Sequence, residues 1–194
     1  MDFSCTQSLR FALFRKLRKT FVSLIILGAF FARSLEAQVL VRPDEKPREI
    51  QEVSLQEKLN TQVDPNLTFL DETGQTVALK NYFGKGRPVV LNLVYYSCPM
   101  LCGMVLQGVV RALKQVPYTP GQEIEVVTIS FDPKETPALA VAKKNSIMQE
   151  YTRPGADKGW HVLTDRDGNA KKLADQVGFI YKWDDETKQF AHPS

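Results

Sequence analysis

One segment constrains this chain more than any other. Pro88-Val-Val-Leu-Asn-Leu-Val-Tyr-Tyr96 is a near-continuous apolar run rich in β-branched residues. A strand without a polar face is buried on both sides, as happens at the centre of a sheet whose crossover helices cover it front and back. Ser97-Cys98-Pro-Met-Leu-Cys102 comes next. Met104 to Val116 then places Val105, Val109, Ala112 and Leu113 at helical spacing. The order is therefore buried strand, dithiol, helix.

The flanking segments carry the same alternation. Leu67 to Leu70 and Thr76 to Leu79 surround Asp71-Glu-Thr-Gly74, a hairpin pattern. Glu123 to Phe131 predicts a second strand, alternating at first and then fully apolar. Thr136 to Tyr151 predicts a helix with Thr136 at the N-cap and Pro137 at the first helical position. His161 to Thr164 predicts a short strand, and Ala170 to Val177 a helix ended by Gly178. Phe179 to Trp183 and Lys188 to His192 are expected to pair across Asp184-Asp-Glu-Thr187. Strands alternating with helices imply an α/β layer with crossover connections. Open sheets of that kind put their chemistry just beyond the strand ends, where this dithiol lies. The expectation is a thioredoxin-like fold: a central sheet flanked by helices, with an N-terminal hairpin.

The chain has 194 residues, enough for one domain and an extension. Its net charge of +3 is unevenly placed. Residues 1–37 carry +4 and the remainder −1, so the body is not built to grip nucleic acid by neutralising phosphates. The basic cluster Arg15 to Lys19 precedes the apolar run Phe21 to Ala32. That run falls short of the roughly twenty residues of a membrane span. It has the form of a secretory signal with Ala37-Gln38 as the cleavage point, or of an uncleaved anchor that tethers the domain to a membrane. Both readings export residues 38–194, to a bacterial periplasm or the outer face of the cytoplasmic membrane. The expected organisation is signal or anchor at 1–37, a polar, Pro-containing linker at 38–64 with a short helical patch near Leu55 to Leu59, and the thioredoxin-like domain at 65–194.

Cys5 lies in the signal, which leaves Cys98 and Cys102 in the exported part. A crosslink four residues apart closes almost no loop and adds little by chain entropy. The pair suits redox exchange or metal holding better than structural bracing. Were the helix to begin near Cys98, an i,i+4 pair would face one side, roughly 5–6 Å apart at Cβ. A helix N-terminus lowers thiol pKa, and two thiolates form a soft site that favours Cu(I), or zinc with further ligands. Two histidines are available as a third ligand, His161 at the start of a strand and His192 in Gln189-Phe-Ala-His-Pro193.

Tyr95-Tyr-Ser-Cys-Pro-Met-Leu-Cys102 resembles the dithiol segment of the Sco/SenC copper-delivery proteins. Further similarities come in order: Thr128-Ile-Ser-Phe-Asp-Pro133 with Glu135-Thr-Pro137, then Gly159-Trp-His-Val-Leu-Thr164, then Gln189-Phe-Ala-His192. The resemblance covers about residues 50–194. It implies a thioredoxin-like domain that binds one copper, Cu(I) or Cu(II), through Cys98, Cys102 and His192. Asp132 occupies the family's acidic position, where it either orients the histidine and aids transfer or caps its own loop. Relatives continue past the histidine with a further strand and helix, so the domain is expected to be incomplete at its C-terminal side.

Two functions follow, the first implied by the resemblance and the second by the placement of the dithiol at a helix start. The first is a metallochaperone, not an enzyme, passing copper to the copper A centre of cytochrome c oxidase subunit II. The second is a thiol–disulfide oxidoreductase acting on cysteines of the same subunit or of other exported proteins, with Cys98 and Cys102 as the redox-active pair and thioredoxin-like reductants as partners. Copper binding needs His192 and dithiol exchange does not.

Overall fold

The computed structural model describes residues 52–193. The expected signal or anchor at 1–37 and the part of the expected linker up to residue 51 lie outside the described residues.

The core is a three-stranded parallel sheet in the order β4-β5-β6. Its strands are β4 (Val89–Val94), β5 (Glu125–Ser130) and β6 (Trp160–Leu163). All six residues of β5 are buried, Val126, Val127 and Ile129 completely, so the apolar second half of that segment sits in the middle of the sheet. The crossovers are α1 (Leu101–Gln115) between β4 and β5, and α2 (Pro137–Glu150) between β5 and β6. On α1, Cys102, Leu106, Val110 and Leu113 are buried, whereas of the expected positions Val105 and Val109 are half-buried and Ala112 is exposed, so the buried face is turned from the expected one. The buried positions form one helical stripe, and this stripe packs the helix into the core. Thr136 is the N-cap of α2 with Pro137 at its start, as predicted, although the threonine side chain makes no capping bond.

The hairpin appears where the sequence places it. Strands β2 (Thr68–Leu70) and β3 (Thr76–Ala78) pair antiparallel. An Asp71 carboxylate oxygen closes the turn by accepting from the backbone N–H groups of Thr73 (2.8 Å) and Gln75 (2.9 Å). Leu70 and Thr164 exchange backbone bonds of 2.8 and 2.9 Å, which attaches the hairpin to the end of β6.

Four expectations need correction. β4, expected at the buried centre of the sheet, is an edge strand among the described residues: in the order β4-β5-β6 it pairs with β5 alone, and of its six residues only Asn92 and Val94 are buried. The helical patch near Leu55 to Leu59 is instead a strand, β1 (Ser54–Leu55). Leu55 and Leu59 are 70% and 74% exposed, so a helix there has no apolar face to bury. β1 pairs with β7 (Phe179–Ile180), which comes directly after α3 (Asn169–Val177) and Gly178. Gly178 makes the pairing possible. It ends α3 in the left-handed region at φ +77°, and a Cβ there would lie 2.0 Å from the Gln56 carbonyl oxygen. The Phe179 to Trp183 strand is in turn broken at Tyr181. Its first part joins β1, and its second part, β8 (Lys182–Asp184), pairs with β9 (Gln189–Ala191). Finally, α1 begins at Leu101, so Cys98 lies in the turn before the helix and only Cys102 lies within it.

Candidate metal centre

The strand–turn–helix junction builds half of the site. Beyond β4 the chain turns at Tyr95, whose carbonyl accepts from Cys98 N–H at 3.3 Å. Cys98 is half-buried and precedes the helix. Its Sγ accepts from the Cys102 N–H at 3.4 Å, the place a capping side chain takes at a helix start. Cys102 is buried in the first turn, 2% exposed, and its Sγ accepts from Tyr95 N–H at 3.4 Å. Both cysteines are free.

The other half arrives through the β8–β9 hairpin. Phe190 anchors it, packing at ring-centroid distances of 5.5 Å from Tyr95, 5.5 Å from Phe131 and 4.9 Å from Trp183. His192 comes just after β9 and is 8% exposed, with Phe131 and Tyr95 edge-on at 5.6 and 5.9 Å. Its Nδ1 lies 2.9 Å from the Pro193 carbonyl. A carbonyl only accepts, so Nδ1 carries a proton and Nε2 is the ring atom turned toward Cys102. That Nε2 lies 3.3 Å from Cys102 Sγ. One ligand atom from each of Cys98, Cys102 and His192 falls within 4.8 Å of the others, a set able to hold a metal ion.

The two thiols differ electrostatically. Burial opposes ionisation of Cys98, but N–H groups of Cys102 and Met100, the Tyr95 hydroxyl and the His192 imidazole outweigh it and bring the thiol down to about 6. Burial chiefly, then the Cys98 sulfur and the Glu135 carboxylate, push Cys102 up to about 12 against the Tyr95 N–H. The site thus presents a reachable thiolate beside a buried neutral thiol. A soft cation carrying positive charge into it would favour ionisation of the second sulfur as well.

The other singled-out residues go elsewhere. His161 pairs with Glu125 at 3.0 Å and packs against the Tyr82 ring, tilted by 40°, at 4.3 Å. Burial lowers its pKa, with Glu125 opposing. It is a packed strand residue and is not brought to the dithiol. Asp132 caps its loop, one carboxylate oxygen accepting from Lys134 N–H at 2.9 Å. Sequence reasoning met Glu135 only as part of the Glu135-Thr-Pro137 resemblance and gave it no role. A role was not legible there because its side-chain hydrogen bonds go to Tyr96, Ser97 and Ser130, distant in the chain or across a turn.

The SCO1/SenC family model matches residues 55–151, half of the chain. The chain belongs to the SCO1/SenC family. Among solved structures, this SCO1/SenC domain is similar to a protein of Aquifex aeolicus VF5 described as an electron transfer protein. The two are 29% identical with a TM-score of 0.58, over 70% of this chain and 75% of that one. A second Aquifex aeolicus VF5 protein, described as an electron transport protein, is also 29% identical, with a TM-score of 0.52 over 64% and 74% of the two chains. The copper-bound ScoI of Arabidopsis thaliana shares the fold, at 20% identity and a TM-score of 0.50 over 65% and 73%. No curated protein matches. The SCO1/SenC fold is thioredoxin-like, with the dithiol here at the junction of β4 and its crossover helix α1.

Proposed function

We propose that this SCO1/SenC protein is a copper metallochaperone that carries one copper ion on Cys98, Cys102 and His192. The observation that carries this reading is the convergence of three donor atoms within 4.8 Å from two distant parts of the chain. Two sulfurs and one imidazole nitrogen form a donor set that prefers soft copper over hard oxygen-seeking cations. Copper is here the cargo. Two sulfurs and one nitrogen leave room for an acceptor's ligands, so hand-over proceeds by stepwise ligand exchange. The family points to the copper A centre of cytochrome c oxidase subunit II as the recipient. The segment at 1–37 points to export, into the periplasm or onto the outer face of the cytoplasmic membrane. Among the described residues no helix is long and apolar enough to cross a membrane.

The test is a titration of the reduced protein with Cu(I) against a chromophoric chelator. One equivalent should bind tightly to the dithiol form and none to the disulfide form. Equal uptake by both forms would sink the proposal. A second reading, thiol–disulfide exchange on exported partners, is favoured by the contrast between a reachable Cys98 thiolate and a buried Cys102 thiol. It predicts that His192→Ala retains activity on a disulfide substrate, whereas copper binding is lost.

A further inference from the structure

Glu135 is a carboxylate with only 7% of its surface exposed, and the copper donor set does not use it. Its Oε2 accepts from Tyr96 N–H at 2.7 Å and from the Ser130 hydroxyl at 2.6 Å. Its Oε1 accepts from both the N–H and the hydroxyl of Ser97, each at 2.6 Å. Four donors fill the acceptor capacity of an ionised carboxylate. Three of the four belong to the two residues directly before Cys98. The fourth, Ser130, is the last residue of β5. The carboxylate therefore ties the turn that carries Cys98 to the end of the central strand.

We propose that Glu135 is a positioning residue for the dithiol. By fixing Tyr96 and Ser97 it holds Cys98 Sγ where a shared ion is reached, and it opposes closure to the disulfide. Closing that bond requires the sulfurs to come to about 2.0 Å. Cys102 is locked in α1 and buried, so Cys98 must do the moving, and its movement drags the clamped turn. The metal-holding half of this inference rests on the copper reading; the disulfide half does not.

The experiment equilibrates the protein with glutathione buffers at fixed pH and counts free thiols by alkylation and mass spectrometry. In the reaction the two thiols give up two electrons and two protons, the S–S bond of oxidised glutathione breaks, and two glutathione thiols form. Glu135→Gln replaces an acceptor oxygen with an amide that faces donors. It should raise the equilibrium constant for the Cys98–Cys102 disulfide about tenfold and lower Cu(I) affinity by a similar factor. Ser130→Ala removes one donor and should shift the thiol constant in the same direction, by about threefold. Glu125→Gln is the control: this carboxylate is also buried, at the other end of β5, paired with Arg87 at 2.6 Å and His161 at 3.0 Å. It should lower thermal stability and leave the thiol constant alone.

A wild-type thiol constant in Ser130→Ala and in folded Glu135→Gln would overturn the proposal. So would an equal shift in Glu125→Gln, which would mark the effect as general loosening. Should Glu135→Gln not fold, Ser130→Ala decides alone. Shifted thiol constants together with no copper binding by the wild type would overturn the copper reading and leave the clamp standing.

Discussion

His192 Nε2 lies 3.3 Å from Cys102 Sγ, although 90 positions separate the two residues. The contact depends on two folding events: α1 must dock its Cys102 stripe, and the β8–β9 hairpin must seat Phe190 among Tyr95 and Phe131. Metal affinity is therefore expected to follow hairpin docking as well as the ligands themselves.

Phe190→Ala tests that link. The residue is partly buried, so its removal should cost about 1–3 kcal/mol, below the range for a fully buried phenylalanine. Copper affinity should fall more than tenfold while β4, β5 and β6 stay protected from amide exchange. Unchanged Cu(I) competition by this variant would show that the hairpin holds His192 without its anchor.

Ligand substitutions should separate cleanly. Cys98→Ser and Cys102→Ser should abolish tight copper binding, because a hydroxyl is a hard ligand that stays protonated at neutral pH. His161→Ala should leave binding intact. It should instead lower stability by about 1–3 kcal/mol, since it strands the 3%-exposed Glu125 side chain with one partner fewer. Chelator competition and urea melts on the same samples check both halves. Loss of copper with His161→Ala and its retention with His192→Ala would reverse the ligand assignment.

Alkylation of the metal-free, reduced protein should report the two thiols at different pH. Cys98 is depressed to about 6, so its reaction with iodoacetamide should be half-maximal near that pH. Cys102, raised to about 12, should stay unmodified in the folded state throughout the neutral range. The direction of the Cys98 shift sets the sign of its effect on stability. Folding favours its thiolate, so that contribution is complete above the unfolded thiol range near 8.5 and is lost as pH falls through about 6. Peptide mapping after timed alkylation distinguishes the sites, and a preference for Cys102 would contradict the assignment.

Thr128→Val should be costly for a different reason. The fully buried Thr128 hydroxyl accepts from Trp160 Nε1 at 3.2 Å and from Asn92 Nδ2 at 3.3 Å. Valine fills the volume but leaves two buried donors without an acceptor, a loss of about 2–4 kcal/mol. Chemical denaturation measures it. A variant as stable as the wild type would mean that water replaces the hydroxyl.

The amino-acid order alone determines the elements whose signals are local. The apolar run of β4, the helical spacing of α1 though not its buried face, Pro137 opening α2 and Gly178 closing α3 all depend on residues a few positions apart, so they are legible without tertiary information. The dithiol is legible for the same reason. His192 is legible as a ligand only through resemblance, because spacing says nothing about two groups far apart in sequence. Tertiary structure decides the remainder. Ser54–Leu55 becomes a strand because Gly178 lets Gln56 approach. The Phe179 segment splits because its first residues have β1 to pair with and the next ones have β9. Glu135 becomes the partner of Tyr96, Ser97 and Ser130 because parallel strands β4 and β5 end side by side, in register from Val89 and Glu125 to Val94 and Ser130. Each of these is a contact between backbone or polar groups brought close by the packing of apolar surface, and that packing is encoded by no short stretch of the chain.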